Sequence, residues 1–482
     1  MSTGPVATID TKAIEAYVSQ EWDSTIVPSL VEFIKIPNQS PLYDAEIFTN
    51  GYQEQAVKLI TDWIEEQKVP GLQLKVVAEP NRTPLIFAEI PATGDNNDST
   101  ILMYGHMDKQ PPMTGWDEGL GPWTPKIIEG KLYGRGAADD GYAAFGAITA
   151  IQALKAQNVP HARIVLIIEG CEESGSADLP YYIDLLKDDI GTPNLVVCLD
   201  SGCGNYDQLW LTSSLRGVLA GDLKVEIIKE GVHSGSSSGI VPSSFRIMRQ
   251  LLDRIEDSKT GEMLVPEAYV EIPEIHQQFA AKVAEVLGDE VFCNYPWLDT
   301  SYPMSDDKKT LILNRTWRPT VSYTGVDGIP HVSNAGNVLR QFTTLKLSIR
   351  MPPTLKAQPL IDALKAKLES NPPYGAKVTM NFEKCGPGWM APLLSPWLAA
   401  AGERASQAYF GKEMLLFGEG GSIPFMGMLG EKFPGTQFVI TGVLGPKSNA
   451  HGPNEFLHIQ MGKRVTASVA SLVADHFVNT SN

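Results

Sequence analysis

The chain has 482 residues, 43% of them hydrophobic and 20% charged, with a formal net charge of −17. That is an ordinary globular balance in a chain too long for one hydrophobic core, so two or three domains are expected. So acidic a surface repels nucleic acid and anionic membranes, and no apolar run approaches the roughly 20 residues of a membrane span, so neither is an expected partner.

The N-terminus, MSTGPVATIDTK, has no basic region followed by an apolar one. It does not read as a secretory signal, and a cytoplasmic location is expected. Residues 11–36 read as helix, with Asp10 as N-cap, Ile14, Val18 and Trp22 near helical spacing, and Pro37 as the stop. A second helix covers 52–67. Short apolar runs follow at 85–90, 100–106, 163–170 and 194–200. Their hydrophobicity is continuous rather than alternating, as in central strands covered on both faces. The alanine-rich stretch 142–157 between them reads as helix. Strands alternating with helices predict an α/β fold with mostly parallel pairing.

The five cysteines, Cys171, Cys198, Cys203, Cys293 and Cys385, are irregularly spaced without a CxxC pair, which argues against a disulfide framework or thiolate zinc site. After about Trp210 the pattern changes. Segments 218–228 and 342–351 alternate as half-buried strands, 242–255 reads as an amphipathic helix, 358–370 as helix, and 377–383 as a further strand. This predicts a sheet-and-helix layer with one open face. Residues 256–330 look loop-rich, and the aromatic run 294–303 reads as packing under a lid. From about Gly386 α/β character returns, with 436–442 as a buried strand. One domain interrupted by another is the simplest organisation: 1–212 and 390–482 as one α/β unit, with an α+β insertion at 213–389.

Polar residues gather at the ends of the apolar strands, where open α/β sheets bind ligands. Strand 100–104 runs into Gly105-His106-Met107-Asp108. Loop 134–141 reads GRGAADDG. Strand 163–169 ends in GCEESG with Glu172 and Glu173, and strand 194–199 ends at Asp200. His451 follows late, in NAHGPNE. Singly, each has an ordinary reading: a surface pair, an N-cap, a solvated charge. Together they would put imidazoles and several carboxylates at one sheet edge, where the carboxylates would repel one another without cations. Mixed His and carboxylate donors suit Zn²⁺ or Mn²⁺.

The motifs GHMD, GRGAADDG, EGCEESGS, GGSIP and NAHGPNE, in this order and approximate spacing, resemble those of the M20 metallopeptidases, and within them the cytosolic nonspecific dipeptidase and carnosinase branch. The resemblance spans nearly the whole chain. It implies a zinc-peptidase-like catalytic domain with an inserted lid and dimerisation domain, and two divalent metal ions. Asp139 would bridge the metals, His106 and Asp200 would complete one site, and Glu173 and His451 the other. Asp108 would steer His106. Glu172 would be the general base, taking a proton from a bridging water and returning it to the leaving amine. A cis peptide between Asp139 and Asp140 is implied as well.

In the insertion, His233 alone reads as an ordinary loop histidine in a glycine-serine stretch. The resemblance implies that it enters the partner's active site of a homodimer and stabilises an oxyanion. Arg350 would grip the substrate's C-terminal carboxylate, helped by Ser422 and by the backbone at Gly421. Asn337 stands where relatives often carry a threonine in a KTVIP-like segment, a departure bearing on substrate preference. His161, His276, His331, His458 and His476 lack motif context. The expected activity is dipeptide hydrolysis next to a free carboxylate. N-acyl-amino-acid amidohydrolase or carboxypeptidase action is the alternative, since no motif reveals whether a free α-amine is recognised. A phosphoesterase lacks motif support, and a non-catalytic scaffold is disfavoured because the base and every ligand candidate are present.

Overall fold

The computed structural model describes residues 4–94 and 98–480. The first three residues of the N-terminal stretch read as lacking a signal lie outside the described residues.

The expected first helix is three consecutive pieces: α-helix Thr11–Glu21, a π-turn Trp22–Ile26 and α-helix Val27–Ile34. Pro28 has no N–H to donate one turn back, and the wider turn before it absorbs that gap. Asp10 caps the start, accepting from the backbone N–H groups of Lys12 and Ala13 at 3.0 and 3.1 Å.

The central sheet runs in the order Gln73–Val77, Leu85–Ile90, Arg163–Glu169, Thr100–His106, Leu195–Cys198, Gln437–Ile440. The first two pairings are antiparallel and the other three parallel. Strand Thr100–His106 is buried along its whole length, as its continuous hydrophobicity predicts. Ile101 and Met103 join one core, with helix Tyr142–Lys155; Leu102 and Tyr104 join another, with helix Leu179–Leu185. The chain leaves Thr100–His106 toward the neighbour on one side and returns to the other side through Leu195–Cys198. That reversal opens a crevice at the carboxyl ends of these strands.

Helix Ile459–Thr480, for which the sequence reading offers no element, is buried from Met461 to Phe477 except at Lys463 and Arg464. No helix among the described residues is long and apolar enough to cross a membrane.

A second sheet is antiparallel throughout, in the order Thr320–Asp327, Phe342–Met351, Gly217–Glu226, Lys377–Gly386. Helices Ser244–Leu252 and Ala357–Glu369 cover one face and share its core through Ile247, Leu251, Leu360 and Leu364. The other face carries ion pairs such as Lys346 with Asp222 at 2.9 Å and Glu383 at 2.7 Å.

The stretch 256–330 is more ordered than its sequence suggests. Helices Glu274–Leu287 and Lys308–Thr316 lie between 213 and 389, yet Val283, Leu287, Ile312, Leu313 and the following Trp317 pack into the first core beside Trp210 and Phe417. The inserted span is thus not one uniform layer. The aromatic run is also not packed away: Trp297 is 43% exposed, Leu298 76% and Tyr302 83%. Prolines and small polar residues between these side chains deny the run a periodic buried face.

Candidate functional site

The crevice at the sheet edge gathers residues from five separate segments. His106 ends its strand, and its backbone N–H donates to Asp140 Oδ2 at 3.2 Å. The preceding Gly105 permits this approach, because a Cβ there would lie 2.6 Å from that oxygen. The Asp139–Asp140 peptide is cis, as the motif implied.

Asp139 faces two imidazoles. Its Oδ1 is 3.2 Å from His106 Nε2, and its Oδ2 is 2.9 Å from His451 Nε2. Asp200 Oδ1 lies 3.7 Å from His106 Nε2, and Glu173 Oε2 lies 3.4 Å from His451 Nε2. Two trios result, His106–Asp139–Asp200 and Asp139–Glu173–His451, in each of which the donor atoms lie within 4.8 Å of one another. They share Asp139, one carboxylate oxygen turned toward each.

Asp108 does more than face His106. Its backbone oxygen is 3.1 Å and its Oδ1 3.5 Å from His106 Nδ1. Its two carboxylate oxygens also accept the N–H groups of Glu172 and Glu173, both at 3.0 Å. The glutamate pair points in two directions because the chain turns here. It occupies a 3₁₀ turn, Glu172–Ser174, that Asp108 holds from below. Glu173 packs inward, where Gln110 Nε2 donates to it at 2.6 Å. Glu172 faces a cleft of about 240 Å³ lined also by Asp139, Asp200, Gly202, Glu419, Gly421, Ser422 and His451.

Several residues essential to this geometry escaped the sequence reading. Arg135 and Glu455 form a fully buried ion pair. Arg135 also donates to the carbonyl oxygens of His451 and Gly452 at 3.1 and 2.9 Å, and Glu455 accepts the Gly136 N–H at 2.9 Å. The pair clamps the Asp139 loop to the His451 loop, where His451 itself has a left-handed backbone with φ 66°. Both residues sit inside motifs already singled out, GRGAADDG and NAHGPNE, but only the fold reveals that they meet. Lys109 ties the site to the first helices, donating to Phe33 and Ile36 carbonyls, both at 2.6 Å.

His233, Asn337 and Arg350 lie outside the cleft lining. His233 is exposed on the short strand Val232–His233, paired with Val338–Leu339, and Ser234 N–H donates to Asn337 O at 2.9 Å. Arg350 is half-buried in the second sheet, opposite Val218 and Thr320. Burial, followed by the charges of Arg350 and Arg315, pulls the neighbouring Arg216 down to about 9. Among the described residues Arg216 donates only to backbone carbonyls and Thr320 Oγ1, including Gly420 O at 3.3 Å and Asn314 O at 3.1 Å. Such a group of guanidinium ions favours an anion. The histidines without motif context stay apart: His161 bonds Ala162 O at 2.7 Å and His476 bonds Asn194 Oδ1 at 2.9 Å.

Buried carboxylates crowd the cluster. Burial, then Asp200, pushes Glu172 well above the usual carboxylate range, and burial, then Asp139 and Glu172, does the same to Glu173. Asp140 is raised likewise by burial and Asp200, and its Oδ1 is buried with no hydrogen-bond partner. Imidazole and carboxylate donors in two trios fit divalent ions that would relieve this repulsion.

The same shifts set the pH dependence of the metal-stripped protein. Burial lowers His106 and His451, but the carboxylates facing them more than reverse that and raise both. A raised carboxyl and a raised histidine each leave the folded chain holding more protons than the unfolded one. For the cluster, stability should therefore fall as pH rises between about 5 and 8, opposed in part by His161, His276, His458 and His476, which burial lowers. Asp139 is opposed by burial but held well below its usual range by His106 and His451, so it has the opposite sign. Its contribution is lost only below its unfolded pKa, near about 4, outside that window. Melting chelator-treated protein at about pH 5.5 and 7.5 checks this; a higher Tm at the upper pH would contradict it.

Residues 102–475 match the peptidase family M20/M25/M40. Over 414 residues the chain is 26% identical to the cysteinylglycine-S-conjugate dipeptidase of Corynebacterium striatum, an alignment covering 83% of this chain and 85% of that protein. It is 28% identical over 368 residues to the beta-Ala-His dipeptidase of Homo sapiens, covering 72% and 69%. Among solved structures its fold is similar to that of the di-peptidase Dug1p from Saccharomyces cerevisiae, with a TM-score of 0.76 and 23% identity over 97% of this chain and 98% of that one.

Proposed function

The chain belongs to the peptidase family M20/M25/M40, and from that premise we propose that it hydrolyses dipeptides, in a metal-dependent reaction, at the peptide bond next to a free C-terminal carboxylate. The observation that carries this reading is the pair of His–carboxylate trios joined through Asp139. The dipeptidases among its relatives supply the substrate class.

In this reading His106, Asp139 and Asp200 hold one divalent ion, and Asp139, Glu173 and His451 hold a second. Zn²⁺ and Mn²⁺ both suit these donors. Bound there, the ions would polarise the scissile carbonyl and lower the pKa of water. Glu172, free of both trios and facing the cleft, takes the proton of the attacking water and returns it to the leaving amine. Asp108 orients His106 and the turn bearing Glu172. Arg350, backed by Arg216 and Arg315, takes the substrate carboxylate, with Ser422 and the Gly421 backbone lining the approach. Asn337, bonded beside His233, tunes preference from that loop.

The lining of the cleft includes neither His233 nor Arg350, which supports a site completed by closure and by a second copy of the chain. We assign residues 213–389, apart from the helices that join the first core, to a lid and dimerisation layer.

The test uses metal-stripped protein reloaded with Zn²⁺ or Mn²⁺, offered a free dipeptide, its N-acetyl analogue, its C-terminal amide and a tripeptide. Release of amine from the free dipeptide alone is expected. Preference for the N-acetyl compound would replace this reading with an acyl-amino-acid hydrolase, and cleavage of the tripeptide with a carboxypeptidase.

A further inference from the structure

The cleft is lined by four carboxylates, Asp139, Glu172, Asp200 and Glu419. Asp139 and Asp200 belong to the trios and Glu172 serves as base, but Glu419 has no part in either trio. It ends strand Leu415–Glu419, beside Leu215 of the neighbouring strand. Its carboxylate lies against Gly202, two residues beyond Asp200, where any Cβ would collide with Oε1. Gly202 is thus the residue that makes room for this carboxylate at the edge of the metal centre.

Burial raises the pKa of Glu419, and the cation of Arg315 and then the backbone of Gly420 and Gly202 offset part of that rise. Among the described residues it forms no ion pair. A carboxylate that faces a cleft, rests against a glycine backbone and lacks a close counter-ion is suited to receive a cation from outside. A dipeptide brings one such cation, its terminal ammonium, on the side of the scissile carbonyl away from the carboxylate that Arg350 receives.

Building on the proposed dipeptidase reading, we infer that Glu419 is the specificity-determining residue that accepts the substrate's free ammonium. It selects free dipeptides over N-acylated amino acids, the distinction that no motif made legible. An N-acyl group offers no cation and would leave the Glu419 carboxylate desolvated and unpaired in the occupied cleft.

The experiment compares the metal-loaded protein with Glu419→Gln and Glu419→Asp on a free dipeptide and its N-acetyl analogue, with metal content measured for each. Glu419→Gln keeps the side-chain volume while removing the charge. It should lower kcat/KM for the free dipeptide about 100-fold, mainly through KM, and leave the N-acetyl rate and the metal content unchanged. Glu419→Asp should recover part of the loss. Undiminished preference for the free dipeptide in Glu419→Gln overturns this assignment while leaving the dipeptidase reading intact. Loss of bound metal in that variant also overturns it, since Glu419 would then be a ligand. A native protein that itself prefers the N-acetyl compound overturns both readings together.

Discussion

Glu172→Gln is expected to retain its full metal content and lose about 10³-fold in turnover. The side chain stands in the cleft but outside both trios, so metal binding does not depend on it. Burial, and then the Asp200 carboxylate, raise its pKa, the direction a group needs if it is to take up a proton and give it back near neutral pH. Glutamine keeps the shape and the Asp108 contact to the backbone, which does not involve the side chain, but it cannot accept the proton. Because the loss falls on the transition state, kcat and kcat/KM should drop together while KM holds. The check is steady-state kinetics beside metal analysis on the same preparation. Turnover within about tenfold of the native protein, with metals intact, would remove Glu172 from the role of base.

The second large effect concerns His233. His233→Ala and Arg350→Ala should each be nearly inactive, the former by about 10²- to 10³-fold if the imidazole stabilises the oxyanion. His233 is exposed and outside the cleft of its own chain, so a partner's cleft is its expected destination. If one site combines Arg350 of one chain with His233 of the other, mixing the two inactive proteins under subunit exchange creates heterodimers with one intact site. About one quarter of native activity should then return, since random pairing makes half the dimers mixed and half of their sites whole. Proven exchange without recovery would rule out a site shared in this way.

Much of the fold was legible because its signals are local. Strand Thr100–His106 and helix Tyr142–Lys155 announce themselves by continuous burial and alanine-rich composition, and strands Gly217–Glu226 and Phe342–Met351 by alternation. Segment 274–317 was not legible in this way. Helix Glu274–Leu287 is as long as Tyr142–Lys155 and buries His276, Ala280, Val283 and Leu287 at helical spacing, a period the loop-rich surroundings mask. Only the fold shows that this face serves a core contributed by distant segments. The aromatic run 294–303 failed in the opposite sense: large side chains suggested burial, and the fold leaves Leu298 and Tyr302 in solvent.

At the site, the sequence alone determined which candidate donors are available. The types of side chain that can hold divalent ions, and their place after hydrophobic strands, are properties of short segments and survive any packing detail. Tertiary structure alone decided what those donors do together. Asp139 can face His106 with one oxygen and His451 with the other only because the buried Arg135–Glu455 pair ties two loops far apart in the chain. Asp108 became the support of the Glu172–Glu173 turn, and Glu419 entered the cleft against Gly202, for the same physical reason. Distance between side chains depends on how remote segments pack, and composition, periodicity and spacing carry no measure of it.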